Sequence, residues 1–259
     1  MGAIDTHSHI QFEQFDSDRD AVLDACWRAG LQALLVVGTD IETSQRAIEL
    51  CARDPRLHPT AGVHPHDASS LDETAEAELR RLAESSGVVA IGEIGLDFYR
   101  MLSPREVQLD AFRRQLAIAD EFDLPVVVHT RESIDEAHEM LRSWARPRGD
   151  SHPIGVMHCF SGTLEQAREF DGLGFLISIP ATVTYPQNEE LRRVARGLSL
   201  DALVVETDSP YLPPQRLRGR RNDPTNVLEA IRVVAEVRGQ PQDEIVRATS
   251  ENARRLFRL

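Results

Sequence analysis

The sequence contains no lysine and no long apolar run. Its permanently basic side chains are therefore 29 arginines. The planar, always-charged guanidinium of arginine is suited to binding phosphate and carboxylate. Genomic composition is the simplest explanation for that bias. No stretch approaches the roughly eighteen apolar residues of a membrane-spanning helix, so we expect no membrane segment. The first residues, Met1 to His7, carry neither a basic stretch nor an apolar core, so no secretory signal is expected.

Cysteine is also scarce, and the 29 arginines are outnumbered by 42 acidic residues. Cys26, Cys51 and Cys159 are odd in number and widely spaced, which favours a reducing cytoplasm over a disulfide framework. The formal net charge is −13, which disfavours a protein that coats nucleic acid through a broad basic face. A nucleic-acid substrate would have to be held locally, by a few residues.

Short apolar runs alternate with amphipathic stretches along the whole chain. The apolar runs are nearly continuous, as in strands that are buried on both faces of a parallel sheet. The predicted strands are Ala3–Thr6, Leu31–Val37, Leu57–Val63, Val88–Glu93, Pro125–His129, Ile154–His158, Phe175–Ile179 and Ala202–Glu206. Eight alternations without a linker or repeat predict a single domain over residues 1–259, a TIM (β/α)8 barrel of the α/β class.

Helix signals fill the stretches between these strands. Ser103–Glu106 and Thr163–Gln166 each have the spacing of a capping box, and the first has a proline at the first helical position. Asp223-Pro224 predicts the start of a helix that Gly239 can end. We expect the last segment, Pro241–Leu259, to form an extra helix packed on the outside of the barrel.

Histidines and carboxylates recur at the carboxyl ends of the predicted strands. They are His7 and His9 after the first strand, His64 and His66 after the third, Glu93 ending the fourth, His129 ending the fifth, His158 ending the sixth, and Asp208 after the eighth. Barrel enzymes build their sites on this rim, so we expect these side chains to meet there. We expect His58, His138 and His152 to have no role in the site.

These residue types are those that bind divalent metals. The His7-x-His9 spacing sends both imidazoles to one side of an extended chain. Imidazoles with carboxylates suit zinc, manganese, nickel or iron, and Glu93 and Asp208 supply the anionic ligands. A carboxylate between two metals can bridge them, and such a pair can activate water and stabilise attacking and leaving oxygens.

The sequence resembles the TatD-like metal-dependent hydrolases of the amidohydrolase superfamily, in order and over essentially the whole chain. The segments that carry the resemblance are Asp5–His9, Gly62–His66, Gly92–Tyr99, Leu124–Arg131, His158–Gly162, Glu206–Leu212, Arg218–Pro224 and Glu251–Phe257. Two departures are Ser8, where cysteine is common in the family, and Arg220, where lysine is usual. Neither is a ligand position, although Arg220 bears on the geometry of phosphate contact.

The resemblance implies a TIM barrel with two metal ions and a nuclease activity. By this resemblance His7, His9, Glu93 and Asp208 would hold one metal, and Glu93, His129 and His158 would hold the second. Members of the family are described mainly as DNases, often 3′-to-5′ exonucleases. Some relatives instead hydrolyse the ester of D-aminoacyl-tRNA.

The remaining rim residues leave alternatives open. His64 is a candidate phosphate contact or general acid, and His66 is a weaker candidate for substrate contact; each has a structural role as its alternative. Arg131 either contacts substrate phosphate or pairs with a helix carboxylate, and Arg218 and Arg220 are further phosphate candidates.

We also predict roles for two residues that lie next to the predicted ligands in the sequence. Glu206 could orient a ligand or water, or lie buried beside an arginine. Cys159 follows His158, so strand alternation is expected to turn it away from the metals and into packing.

We therefore expect a cytoplasmic deoxyribonuclease, a 3′-5′ exonuclease that uses a metal-activated water on single-stranded nucleic-acid ends. Its cofactors would be two divalent ions, Zn, Mn, Ni or Mg. Glu93 would serve both ions, Asp208 would deprotonate or aim the nucleophile, and His64 or Arg131 would hold the phosphoryl oxygens. No membrane partner is expected, and the oligomeric state stays open, with a monomer among the options.

The ligand set by itself fits amide, ester or phosphoester hydrolysis equally well. The alternative is therefore a carboxyl-ester or amide hydrolase, such as a D-aminoacyl-tRNA deacylase. A metal-binding interaction protein that has lost catalysis is disfavoured, because its ligand set would be broken and this one is intact.

Overall fold

The computed structural model describes residues 2–84, 87–145 and 153–259. Within these ranges eight strands form one sheet in which each strand pairs in parallel with the next strand of the chain. The strands are β1 (Ile4–Ser8), β2 (Ala33–Val36), β3 (Leu57–Ala61), β4 (Ala90–Asp97), β5 (Val126–Arg131), β6 (Gly155–Met157), β7 (Phe175–Pro180) and β8 (Leu203–Glu206). Each predicted strand is confirmed, but β1, β4, β5 and β7 continue beyond the predicted ends, β4 by four residues.

A helix follows each strand, and one more helix ends the chain. The helices are α1 (Arg19–Arg28), α2 (Ile41–Cys51), α3 (Glu73–Glu84), α4 (Arg105–Glu121), α5 (Ile134–Trp144), α6 (Leu164–Gly172), α7 (Glu189–Gly197), α8 (Val227–Arg238) and α9 (Gln242–Phe257). This order confirms the predicted TIM barrel with an extra C-terminal helix. No helix in the described ranges is long and apolar enough to cross a membrane.

The barrel closes where β8 meets β1. The Thr6 hydroxyl donates to the carbonyl of Val205 at 3.0 Å. At the carboxyl ends of the two strands, the Asp208 N–H donates to the His7 carbonyl at 2.9 Å, and the His9 N–H donates to the Ser209 carbonyl at 2.7 Å. Closure therefore joins the segment that carries His7 and His9 to the segment that carries Asp208.

Helix α9 is the predicted extra C-terminal helix, and it packs across the amino-terminal end of the barrel. Its Leu256 and Phe257 pack with inward-facing strand residues such as Ile4, Val127 and Val204. In addition, the Asn252 amide donates to the carbonyls of Leu200 and Leu203 at 2.9 and 2.8 Å, where β8 begins. The apolar face of α9 therefore packs against apolar side chains of the barrel interior at this end.

The predicted helix caps have mixed outcomes. Thr163 and Gln166 form the capping box predicted for α6, and Gly239 ends α8 in the left-handed conformation, as predicted. The capping box predicted at Ser103 is wrong, because α4 begins at Arg105 and its N-cap is Pro104. The Ser103 hydroxyl is used elsewhere, since it donates to the His66 carbonyl at 2.8 Å.

Candidate metal centre

Glu93 reaches the rim because β4 carries a local irregularity. The register of β4 against β5 shifts between Ile91 and Ile94, and both isoleucines pack in the core between the sheet and the helices. Regular alternation from Ile91 would turn Glu93 toward that core as well. The irregularity turns Glu93 inward instead, as β-bulges beside active sites do. Glu93 therefore lies within β4, and not at its end as predicted.

The backbone of β4 also passes unusually close to the residue that follows β3. A Cβ atom on Gly62 would lie 2.7 to 3.0 Å from backbone atoms of Gly92, so a larger residue would push the two segments apart. The Glu93 N–H donates to the Gly38 carbonyl at 2.7 Å. These contacts fix the backbone of Glu93, and therefore the point from which its side chain extends into the barrel.

One oxygen of Glu93 faces the first group of predicted ligands. Its Oε2 atom lies 3.3 Å from His7 Nε2 and 3.8 Å from His9 Nε2. The two Nε2 atoms are 3.2 Å apart. Asp208 completes this group, with Oδ1 at 3.5 Å from His9 Nε2 and 3.9 Å from His7 Nε2.

The other oxygen of Glu93 faces a second group. Its Oε1 atom lies 2.8 Å from His129 Nδ1, 3.5 Å from His64 Nε2 and 3.6 Å from His158 Nε2. His158 Nε2 also lies 3.9 Å from Asp208 Oδ1. The structure thus brings all six predicted ligands together, with His64 beside them.

These donors fit divalent cations. Glu93, His7 and His158 form one group whose ligand atoms lie within 4.8 Å of one another, and His7, His9 and Asp208 form another. Nitrogen lone pairs and carboxylate oxygens that converge at such distances are the donor set of zinc, manganese or nickel sites.

Hydrogen bonds distinguish the roles of His9 and His64. His9 Nδ1 lies 2.8 Å from the Val37 carbonyl, so in the neutral ring Nδ1 carries the proton and Nε2 keeps its lone pair, as a metal ligand requires. His64 has the opposite pattern, because its Nδ1 accepts the N–H of His66 at 3.1 Å. The proton of neutral His64 is therefore on Nε2, which makes that atom a hydrogen-bond donor toward the centre. Burial lowers the pKa of His64 to about 4 and keeps the ring neutral.

Glu206 holds His158 in place, which favours the orienting role among its predicted alternatives. Its Oε1 atom lies 3.0 Å from His158 Nδ1 and accepts the Cys159 N–H at 2.7 Å. Its Oε2 atom accepts the Ser178 hydroxyl at 2.6 Å. A carboxylate behind a histidine is the usual support of a metal ligand. No arginine among the described residues pairs with Glu206, so the alternative of burial beside an arginine is not seen.

Asp97 is a buried carboxylate whose role the sequence reasoning missed. Its Oδ2 atom lies 2.7 Å from His66 Nε2 and 3.5 Å from His129 Nε2. Burial raises the pKa of Asp97, but hydrogen bonds from His129, the Arg100 backbone and His66 outweigh burial and lower it. Extending the fourth strand by four residues would have found it, because Glu93 and Asp97 then share one face of β4.

Asp5 was also missed as a supporting residue. It is fully buried and accepts the hydroxyl of Thr207 at 2.6 Å, the Thr207 N–H at 2.9 Å and the His7 N–H at 3.2 Å. Asp5 thereby ties the segment of His7 to the segment of Asp208. Burial raises the pKa of this carboxyl well above its usual range.

The charges of the centre suit a cation. Burial raises the pKa of Glu93, but His158, His64 and His7 outweigh burial and hold that pKa well below its usual range. Burial lowers the pKa of His158, but Glu206, Glu93 and Asp208 outweigh it and raise the pKa to about 10. The carboxylates are thus anionic at neutral pH, and a proton on His158 balances charge that a metal ion would balance by displacing it.

The residues predicted to contact substrate differ in their surroundings. Arg131 is exposed, and its guanidinium carbon lies 4.0 Å above the ring of Tyr99, whereas the alternative ion pair with a helix carboxylate is not seen among the described residues. Arg218 lies 5.3 Å above the ring of Tyr185. Arg220 is exposed, and its backbone N–H donates to the Leu217 carbonyl. His66 belongs to the centre through Asp97.

The expected orientation of Cys159 is wrong. Its sulfur lies within 4.8 Å of the ligand atoms of His158 and Asp208. Strand alternation does not apply, because β6 ends at Met157 and Cys159 has a φ of 45°. Burial raises the pKa of the thiol well above its usual range, so the sulfur stays protonated.

Two of the histidines that were expected to lie outside the site do so. His58 lies on β3 paired with Leu35, and His138 lies on α5 with its ring 5.2 Å from that of Phe170. His152 lies outside the described residues.

An eight-stranded barrel with imidazoles and carboxylates at the carboxyl ends of its strands defines a class, the metal-dependent hydrolases. The family described as TatD related DNase matches residues 4–258. The chain belongs to this family, which confirms the family predicted from the motifs.

Curated relatives cover nearly the full length. The chain is 41% identical over 252 residues to the "3'-5' ssDNA/RNA exonuclease TatD" of Erwinia billingiae, covering 95% of both chains. It is 35% identical over 255 residues to the "Uncharacterized metal-dependent hydrolase YabD" of Bacillus subtilis, covering 98% of both. Among solved structures, YJJV, a TatD homologue from Escherichia coli K12, superposes with a TM-score of 0.93 at 34% identity and covers 99% of this chain and 98% of that one.

Proposed function

We propose that this protein is a two-metal exonuclease that removes nucleotides from the 3′ ends of single-stranded nucleic acid. The observation that carries the proposal is the division of Glu93 between two groups of ligands. Its Oε2 atom faces His7 and its Oε1 atom faces His129, at 3.3 and 2.8 Å. A carboxylate in this arrangement can bridge two cations.

The ligands divide into two sets around that bridge. His7, His9 and Asp208 with Oε2 of Glu93 would hold one ion, and His129 and His158 with Oε1 would hold the other. Two divalent ions, zinc, manganese, nickel or magnesium, would supply Lewis-acid charge at the phosphate and lower the pKa of a water. The supporting contacts of Glu206 and Asp5 fix the ligands before substrate arrives.

The remaining residues position the substrate and move the proton. Burial raises the pKa of Asp208, but hydrogen bonding from His9 and the charges of nearby histidines lower it, so this carboxylate is ionised and can accept or aim the proton of the nucleophile. The Nε2–H of His64 points toward Glu93 Oε1, where it can donate to a phosphoryl oxygen. The Arg131 guanidinium has no carboxylate partner among the described residues and is available to phosphate.

Two observations support a single-stranded end as the substrate. The relative from Erwinia billingiae is named as an exonuclease on single-stranded DNA and RNA. In addition, a net charge of −13 disfavours a long basic surface, so we expect contact with a polynucleotide to be confined to the few nucleotides beside the centre. A free end can enter the mouth of a barrel, whereas the interior of a stacked duplex cannot.

The cytoplasm is the compartment we propose. Cys26, Cys51 and Cys159 are all free thiols, which supports a reducing environment.

Metal stoichiometry tests the binuclear arrangement. Chelated protein should be inactive, and manganese, zinc, nickel or magnesium should restore activity, with two ions bound per chain. Glu93→Ala should lose both ions, because the bridging carboxylate serves each, whereas His158→Ala should mainly lose one. A single equivalent of metal in fully active wild-type protein would overturn the two-metal centre.

The substrate is tested with matched polymers. A 5′-labelled linear single strand should shorten progressively from its 3′ end, and a closed circular single strand of the same sequence should be degraded far more slowly. Equal rates on both would overturn the exonuclease, though not the hydrolase. Turnover of a D-aminoacyl ester or cyclic amide without turnover of the oligonucleotide would establish the alternative hydrolase instead.

A further inference from the structure

Guanidinium groups stack on aromatic rings at several places in the described part of the chain. Three of these arginines also pair with a carboxylate: Arg56 over Trp27 with Asp54, Arg105 over Phe98 with Glu136, and Arg221 over Phe15 with Asp18. Arg131 over Tyr99 and Arg218 over Tyr185 differ, since each stacks on a tyrosine and has no ion pair within the described residues. No carboxylate in the described part of the chain therefore pairs with either charge.

The Tyr99–Arg131 pair is the more exposed and the closer-packed of these two. The guanidinium carbon of Arg131 lies 4.0 Å from the centre of the Tyr99 ring, against 5.3 Å for Arg218 over Tyr185. Tyr99 is 55% exposed, whereas the Tyr185 hydroxyl is tied to the Pro213 carbonyl at 2.7 Å. An aromatic surface and an unpaired cation are thus both open to a ligand in a chain that is strongly acidic overall.

Asp97 connects this pair to the metal centre. Its Oδ1 atom accepts the Tyr99 N–H at 3.0 Å, while its Oδ2 atom contacts His66 and His129. Asp97 and Arg131 are register partners across β4 and β5, and Arg131 follows His129 by two residues on β5. The pair is therefore fixed beside the ligands by one carboxylate and by one strand.

The surroundings of Tyr99 suit an unstacked base. Tyr99, Met101 and Leu102, in the loop between β4 and α4, are among the large apolar side chains that the described part of the chain exposes. Proteins that bind single strands combine aromatic platforms for bases with cations for the backbone, because every base has a π-face. Arginine is the side chain best suited to contact phosphate from a stacked position.

We propose that Tyr99 and Arg131 form a nucleotide subsite beside the metal centre, in which the ring of Tyr99 stacks on a base and Arg131 contacts a neighbouring phosphate. The inference rests on the proposed nuclease function and adds the part of the substrate that this loop recognises. The stacking contact of Tyr99 should accept any of the bases, because stacking uses the face of the base and not the hydrogen-bonding groups on its edge.

The base contact is tested on single-stranded octanucleotides in which one abasic residue is moved stepwise from the 3′ end. Phosphorothioate linkages slow cleavage, so equilibrium affinity can be measured on the metal-loaded protein. Tyr99→Leu should weaken binding of the intact strand about fivefold or more, since it keeps bulk and loses the ring. Tyr99→Phe should bind like wild type. At one abasic position, wild type and Tyr99→Leu should have equal affinity.

The phosphate contact is tested by salt dependence. Arg131→Gln should reduce the slope of log affinity against log salt by about 0.7, the value for one phosphate of a single strand. Arg105→Gln is the matched control, because Arg105 also stacks on an aromatic ring but is paired with Glu136. Its slope should be that of wild type.

The outcomes separate this inference from the function on which it rests. If wild type binds and shortens single strands but Tyr99→Leu weakens binding equally at every abasic position, or not at all, the subsite is wrong and the nuclease remains. If the salt slope of Arg131→Gln equals that of wild type, the proposed phosphate contact is wrong and the nuclease function remains. Failure of wild type to bind or cleave any single strand overturns both proposals.

Discussion

Glu206 lies directly behind His158, with its Oε1 atom 3.0 Å from the His158 Nδ1 atom. Both side chains are almost fully buried, and the opposite nitrogen of the same ring points toward Glu93 Oε1 at 3.6 Å. The ring is thus held between a supporting carboxylate and the metal centre. That arrangement makes Glu206 a positioning residue, whose effect is transmitted through His158.

Glu206→Gln should weaken metal binding at the His158 position by about 10- to 100-fold, because the amide is a poorer support for the ring. The measurement is the affinity for zinc or manganese by competition with a chelator. Glu229→Gln, which changes a carboxylate paired with Arg216 on the outside of the barrel, is the control and should leave the affinity unchanged. An unaltered metal affinity in a folded Glu206→Gln protein would contradict the positioning role.

The proposed ligands should differ sharply from the other histidines. His129→Ala and Asp208→Ala should lower kcat by orders of magnitude, while circular dichroism shows a folded barrel. His58→Ala and His138→Ala should stay within a few-fold of wild type, since these rings lie on β3 and α5 away from the centre. A folded His58→Ala or His138→Ala variant as inactive as His129→Ala would refute the assignment.

Asp97 should make the stability of the metal-free protein depend on pH. Its pKa is lowered in the folded state from the unfolded value of about 3.9, so its contribution to stability is fully present above that value. The contribution is lost progressively as the pH falls toward the folded pKa. We expect the difference in free energy of unfolding between wild type and Asp97→Asn to be largest near pH 6 and to shrink below pH 4, in urea titrations of chelated protein. A difference that is constant with pH would show that the charge of Asp97 is not responsible.

The covering of the barrel by α9 should be important for stability. Phe257 is buried against the inward-facing strand residues, so Phe257→Ala should lower the free energy of unfolding by about 3–5 kcal/mol. Leu228→Ala, on the exposed side of α8, should change it by less than about 0.5 kcal/mol. Denaturant titration measures both. Equal effects of the two substitutions would mean that α9 only lies against the outside of the barrel.

The fold could be predicted from the sequence because its signals are local. Apolar runs of strand length between amphipathic stretches depend only on neighbours in the chain, and all the predicted strands are present. The sequence also placed the proposed ligands on one rim, since every parallel strand of a closed barrel ends at the same face. His7, His9, His64, His129 and His158 come together there for this reason.

The details of the centre depend on tertiary contacts that no local pattern contains. Regular alternation from Ile91 would have turned Glu93 away from the other proposed ligands, and only the shifted pairing of β4 with β5 directs its two oxygens to the two groups of proposed ligands. The orientation of Cys159 depended on the structure for a similar reason, because Cys159 lies just past the end of β6 with a positive φ. Asp97 was missed because the predicted fourth strand ended too early, at Glu93. The position of α9 also required the structure, since an amphipathic helix shows that it buries one face but not which opening it covers. The hydrophobic periodicity of the sequence specifies which side chains are buried together. The register between paired strands decides which side-chain atoms come into contact in the centre.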